Sequence, residues 1–262
     1  MLIGLHQLAA ALYLASSVAG GVALASPGSR ARHSSLWLLA AGALAHLVSF
    51  AFLHRTQPTP QLTDLPAVAS LTACLAIIAY LAFLRRARWD ALVVWMAPVG
   101  FLGSFVGALR LPHASGAHLL GSGSWPHAHV LLASAGLALM GVAGFAGVAF
   151  LRESSRLKRK RSAGPRLPSL ETLDRVNVAA LAVGFPLLTF GVLTGVLWLQ
   201  GADGRWWTGS AHEIWTTLAW GIYAALVLAR FAARQSARNA ALSAVGGFAF
   251  LLFAVLGVGI VT

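Results

Sequence analysis

"LPSLETLDRVNVAALAVGFPLLTFGVLTGVLWL", residues 167–199, changes character halfway. Its first nine residues place Glu171, Asp174 and Arg175 among leucines, the pattern of an amphipathic lead-in helix. Ser169 is placed to cap that helix, with Glu171 and Thr172 in its first turn. The remaining residues, 176–199, carry no charge at all. At about 1.5 Å per residue such a run crosses a bilayer hydrocarbon core of roughly 30 Å.

Working outward, the same pattern recurs along the chain. Apolar runs limited by charges, Pro or Ser/Gly clusters predict eight spans, at about 3–25, 36–54, 66–84, 91–109, 127–151, 176–199, 212–232 and 240–260. Of the 262 residues 58% are hydrophobic and 10% charged, against about 25% charged in soluble domains. The expected fold is all-α, a polytopic helical membrane bundle forming a single integral domain over 1–262, with no internal repeat. The apolar run at the N-terminus has no basic flank and reads as the first span, not a cleaved signal. A single cysteine, Cys74, excludes a disulfide framework and a CxxC motif.

The net charge of +12 is a topology signal, not a nucleic-acid one. Loops 26–35, 85–90, 152–175 and 230–239 hold 16 of the 19 Lys and Arg, and Arg55, Arg110 and Arg205 are divided among the other loops. The positive-inside rule then places both termini and the 200–211 loop outside and the 152–175 loop in the cytoplasm. That is the arrangement expected in a bacterial plasma membrane, with the lipid bilayer as the main partner. The basic run "RLKRKR", Arg156–Arg161, serves as a topology determinant, with contact to anionic lipid or an acidic partner as the alternative.

With this orientation the histidines sort to one side. His33 is inside, whereas His6, His54, His113, His118, His127, His129 and His212 lie near the outer face. His46 lies within span two, about 12 Å below His54. As an ionisable residue in a span it is either functional or a hydrogen-bonded packing histidine. Trp125, Trp198, Trp206, Trp207 and Trp215 are also outer, with Trp220 a little deeper, and an interfacial aromatic belt accounts for part of that set. In span five His129, Ala133, Gly136, Met140 and Gly144 form one stripe, and in span one His6, Ala10, Tyr13, Ser17 and Gly20 form another. Small residues beneath a histidine permit close helix approach or leave room for a flat cofactor. Imidazoles with aromatic walls suit haem, whose iron accepts two from opposite faces. Arg55, Arg110 and Arg205 are the outer cations available to its propionates. Zinc needs three or four converging ligands, and neither an outer i,i+4 histidine pair nor an HExxH motif is present.

These segments resemble the cytochrome c assembly (CcsA/HemX/YpjD-like) family of membrane haem-handling proteins. The likeness is carried by residues 167–199 quoted above, by "LKRKR" before them, by "WPHAHVLLASAG" and "ALAHLVSF", and by the closing "GGFAFLLFAVLGVGIVT". The family's tryptophan-rich WWD segment corresponds to "GADGRWWTGSAHEIW", residues 201–215, which retains Trp207, Glu213 and Trp215, followed by Trp220 and Tyr223. Gly209, Ser210, Ala211 and His212 stand where the family has tryptophan, aspartate, proline and lysine, as if the rigid centre of the segment were lost. The resemblance implies haem as a non-covalent, b-type cofactor. It matches His129 and His46 to two of four family haem ligands and leaves two without a counterpart, which argues against full synthase activity. His6 and His212 become candidates for the vacant positions, with His6 and His129 at similar depth as an axial pair and His46 deeper.

The resulting expectation is haem binding or transport at the outer face during cytochrome c biogenesis, with Trp207, Glu213, Trp215 and Trp220 as the platform and no catalytic residue. The implied partner is a ResB/CcsB-like assembly protein. One alternative is a HemX-like regulator of haem biosynthesis acting on glutamyl-tRNA reductase through the basic loop. The other is a b-type cytochrome carrying electrons.

Overall fold

The computed structural model describes residues 2–25, 29–54, 65–84, 92–110, 125–160 and 167–261. Arg55, Trp89, His113, His118 and residues 161–166 lie outside the described residues, as do the side chains of His54 and Arg110. Among the described residues eight α-helices account for the regular structure: α1 (Leu2–Ala25), α2 (Ser29–His54), α3 (Leu65–Leu84), α4 (Val93–Arg110), α5 (Trp125–Lys158), α6 (Leu170–Asp203), α7 (Ala211–Phe231) and α8 (Ala237–Val261). They match the eight expected spans, and the protein is a polytopic helical membrane protein. Seven helices are long and apolar enough to cross a membrane. The remaining one, α4, has 18 residues and contains Pro98.

The helices group into two compact units, α1–α4 and α5–α8. In the first, α1 packs against α2 and α4, and α3 packs against α4. Tyr13 is fully buried, and its ring fills the space that side chains at Gly42 and Gly100 would occupy. Ser16 Oγ donates to the Ser35 carbonyl at 2.7 Å, fixing the return of α2 along α1.

In the second unit α5 and α6 are the axis, each of 34 residues. At 1.5 Å per residue each is about 51 Å long, well beyond a hydrocarbon core. The lead-in helix expected over 167–175 is not separate. It is the first turns of α6, running without a break into the apolar span. Ser169 caps it as expected, accepting from the Thr172 N–H at 3.3 Å, and Glu171 pairs with Arg175. At the other end Gly204 adopts φ 67° and donates its N–H to the Gln200 carbonyl. A left-handed residue there ends the helix at low steric cost only as glycine.

The small residues of the α5 stripe serve close approach. A Cβ on Gly136 would lie 2.6 Å from the Leu188 backbone nitrogen, so α6 occupies the space beneath His129. Asn177 Nδ2 donates across the same seam to the Ala143 carbonyl at 3.0 Å. The far side of α5 receives α8, where a Cβ on Gly147 would meet the Ala241 carbonyl at 2.7 Å. α7 packs on α8 and α6, and Arg230 of α7 reaches both carboxylate oxygens of Asp174 at 2.7 Å.

Candidate functional site

The end of the second unit where α6 stops and α7 begins contains an open cavity of about 210 Å³. His129, Trp198, Trp206, Trp207, His212 and Glu213 are among its walls. Four candidates from the sequence, His129, His212, Trp207 and Glu213, therefore meet at one place.

His129 sits one turn into α5 and is half-buried. Its Nδ1 lies 2.7 Å from the Gly191 carbonyl oxygen. A carbonyl oxygen only accepts, so Nδ1 carries the proton and the neutral ring keeps its lone pair on Nε2. This is how histidine ligands are held at metal centres, one nitrogen orienting the ring and the other left for coordination. The ring has room because residue 195 is glycine, where a Cβ would come within 2.8 Å of Nδ1. Trp198 stands beside it, ring centroids 6.0 Å apart. The Trp198 indole N–H is buried without a hydrogen-bond partner among the described residues. Neither Trp198 nor Gly195 had been assigned to the site from sequence, although both lie on the α6 face that Gly191 shares.

The loop joining α6 to α7 is tied together by hydrogen bonds of Ser210, Glu213 and Thr208. Ser210 is the N-cap of α7 and accepts from the Glu213 N–H at 3.3 Å. The Glu213 carboxylate accepts from the backbone N–H groups of Thr208 at 2.8 Å and Gly209 at 3.0 Å, and from the Thr208 hydroxyl at 2.5 Å. This resembles a capping box on the Ser-x-x-Glu pattern at 210–213, except that the carboxylate takes the N–H groups of the two residues before the N-cap. Gly209–Ala211, expected to lack a rigid centre, thus lie in a loop hydrogen-bonded through Ser210 and Glu213. Glu213 is accordingly committed to shaping the loop.

Trp215 and Trp220 are not in the walls of the cavity. Trp215 packs against Phe250 and Phe253 of α8, at 6.1 and 5.5 Å between ring centroids. Trp220 stacks on Phe185 and donates its indole N–H to Thr189 Oγ1 at 3.0 Å. Both join α7 to its neighbours. Arg205 is exposed in the loop before Trp206, and the acidic side chains at the cavity are Asp203 and Glu213.

His6 and His46 belong to the first unit, where both are buried. Their rings meet edge to face, with centroids 5.1 Å apart. His46 Nε2 lies 2.9 Å from Ser70 Oγ, and its Nδ1 lies 3.5 Å from the Tyr13 hydroxyl. Both nitrogens of His46 thus face hydroxyl partners. Sequence reading had set His46 well below His6. With α2 beginning at Ser29, His46 instead comes level with His6, the two rings 5.1 Å apart. His129 lies in the second unit. Among the described residues no three His, Cys, Asp or Glu side chains come together to hold a metal ion.

The donor set of the cavity can be tested against haem. One imidazole is oriented with its Nε2 unprotonated, a second imidazole lies in the same walls, and tryptophan and aliphatic side chains line much of the rest, beside Asp203, Glu213 and the hydroxyls of Ser210, Thr216 and Thr217. The residues fit a flat, apolar, iron-containing ligand.

Comparison with known proteins agrees with this chemistry. The chain is 33% identical over 124 residues to a protein of Synechocystis named cytochrome c biogenesis protein CcsA, covering 47% of this chain and 37% of that protein. It is 34% identical over 95 residues to the CcsA of Trichormus variabilis, covering 36% and 27% respectively. With the CcsA of Prochlorococcus marinus it shares 31% over 88 residues, covering 34% and 28%. The matches thus span between about a quarter and two fifths of these relatives' lengths. The family described as "Cytochrome C assembly protein" matches far more, residues 31–262. This chain belongs to the cytochrome c assembly protein family.

Proposed function

We propose that the protein binds haem non-covalently in the cavity between α6 and α7 and makes it available for cytochrome c assembly. The observation that carries this is the His129–Gly191 hydrogen bond, which leaves a histidine nitrogen free for coordination in a tryptophan-walled cavity. When bound, haem brings an iron centre that accepts axial nitrogen ligands. The chain's own residues orient and shelter. Gly191 fixes the His129 ring, Trp198 and Trp207 cover apolar surface, and the Ser210–Glu213 box keeps the loop in shape. Arg205 is the cation in the adjoining loop for a carboxylate at the cavity mouth. No bond is made or broken by the protein itself, so it acts as a handler and not as an enzyme. The cavity opens on the outer face of the plasma membrane by the charge bias of the loops, and a second assembly protein receives the cofactor there.

A regulatory role in haem synthesis is the second reading. It rests on Lys158, Arg159 and Lys160, which project exposed from the end of α5. Deleting the gene separates the two. Haem handling predicts loss of covalent haem staining of c-type cytochromes with total haem unchanged. Regulation predicts altered total haem and altered glutamyl-tRNA reductase level with cytochromes c still matured.

A further inference from the structure

We propose that His212 is a second iron ligand, with His129, for a haem that would be held in this cavity. The proposal rests on the haem reading of the cavity and adds a ligand that the family pattern does not supply, since this position holds lysine in the segment the chain resembles.

His212 is the second residue of α7, exposed to the cavity that His129 also lines. They come from different helices, His129 from α5 and His212 from α7, and both line the cavity. The backbone carrying His212 is anchored on both sides. Ser210 caps the helix just before it, and Glu213 just after it ties back to Thr208 and Gly209. A ligand on such a turn is preorganised, so little order remains to be imposed on binding. The rival donors in the walls are weaker choices. The Glu213 oxygens are engaged by the loop, and Asp203 offers a hard carboxylate where haem iron favours imidazole. His212 is the remaining nitrogen donor of the cavity.

The test uses the full-length protein in detergent, loaded with haem, and reads its absorption and electron paramagnetic resonance spectra. The wild type is expected to be six-coordinate and low-spin. His212→Ala and the bulkier His212→Gln are expected to retain haem through His129 but turn high-spin, with at least tenfold weaker haem binding. Millimolar imidazole should return both variants to the low-spin spectrum by filling the vacated position. A low-spin spectrum and unchanged affinity in both variants would overturn the assignment while leaving the haem reading intact. A wild type that takes up no haem would overturn both.

Discussion

His129 commits one ring nitrogen to Gly191 and leaves the other to the cavity, and this depends on neighbours that have no side chain. A methyl group at position 195 would sit 2.8 Å from Nδ1. Gly195→Ala is therefore expected to push the ring off its carbonyl and weaken haem binding about 10- to 100-fold, the range seen when orienting contacts to metal ligands are lost. Haem titration followed at the Soret band measures it. The Gly191 carbonyl also accepts from Thr194 Oγ1 at 2.9 Å, so Thr194→Val should leave affinity within about twofold, because the His129 bond persists. At this scale the sequence showed the histidine but not its tautomer, which depends on a backbone carbonyl 62 positions away. The Ser-x-x-Glu pattern at 210–213 signals the N-terminus of α7, whereas the reach of Glu213 to Thr208 and Gly209 depends on the shape of the loop. Ser210→Ala should lower stability by about 1 kcal/mol, as for other lost caps, measured as a small drop in thermal midpoint in detergent.

Hydropathy identified all eight helices and erred in predictable ways on their ends. It registers only the part that must be apolar, so it truncated α5 and α6, whose polar ends extend past the membrane-spanning run. It also misjudged the level of His46, because depth was counted from one end of α2 without knowing where α1 turned back. The stripe Ala133–Gly136–Met140 left two uses open, and packing decides for helix approach, since α6 fills the groove. Gly136→Leu should thus cost about 1–3 kcal/mol through forced separation of α5 and α6, whatever the ligand. Gly201, with open space where its Cβ would be, supplies the contrast. Gly201→Ala should be neutral or stabilising by up to about 1 kcal/mol, because the helix gains a better former. Thermal unfolding monitored by size-exclusion chromatography distinguishes the two.

For the whole molecule, the charge bias of the loops sets which way the cavity faces, and that orientation decides whether it serves haem outside or a partner inside. The sequence contains one cysteine, Cys74, fully buried, so single cysteines can be placed on a quiet background. Ala211→Cys in intact cells should react with a membrane-impermeant maleimide, and Lys158→Cys should react only after lysis. The reverse pattern would turn the cavity toward the cytoplasm and favour the regulatory reading. Membership in the cytochrome c assembly protein family was legible from residues 167–199. That His129 and His212 line one cavity was not, because helices distant in sequence had to be packed to bring them there.

The central claim, that His129 holds haem in this cavity, is tested most directly by a pyridine haemochrome count on protein purified from membranes and reconstituted with haem. The account predicts one non-covalent haem per chain in the wild type and its loss in His129→Ala. Equal haem content in the two proteins, or none in the wild type, would contradict it.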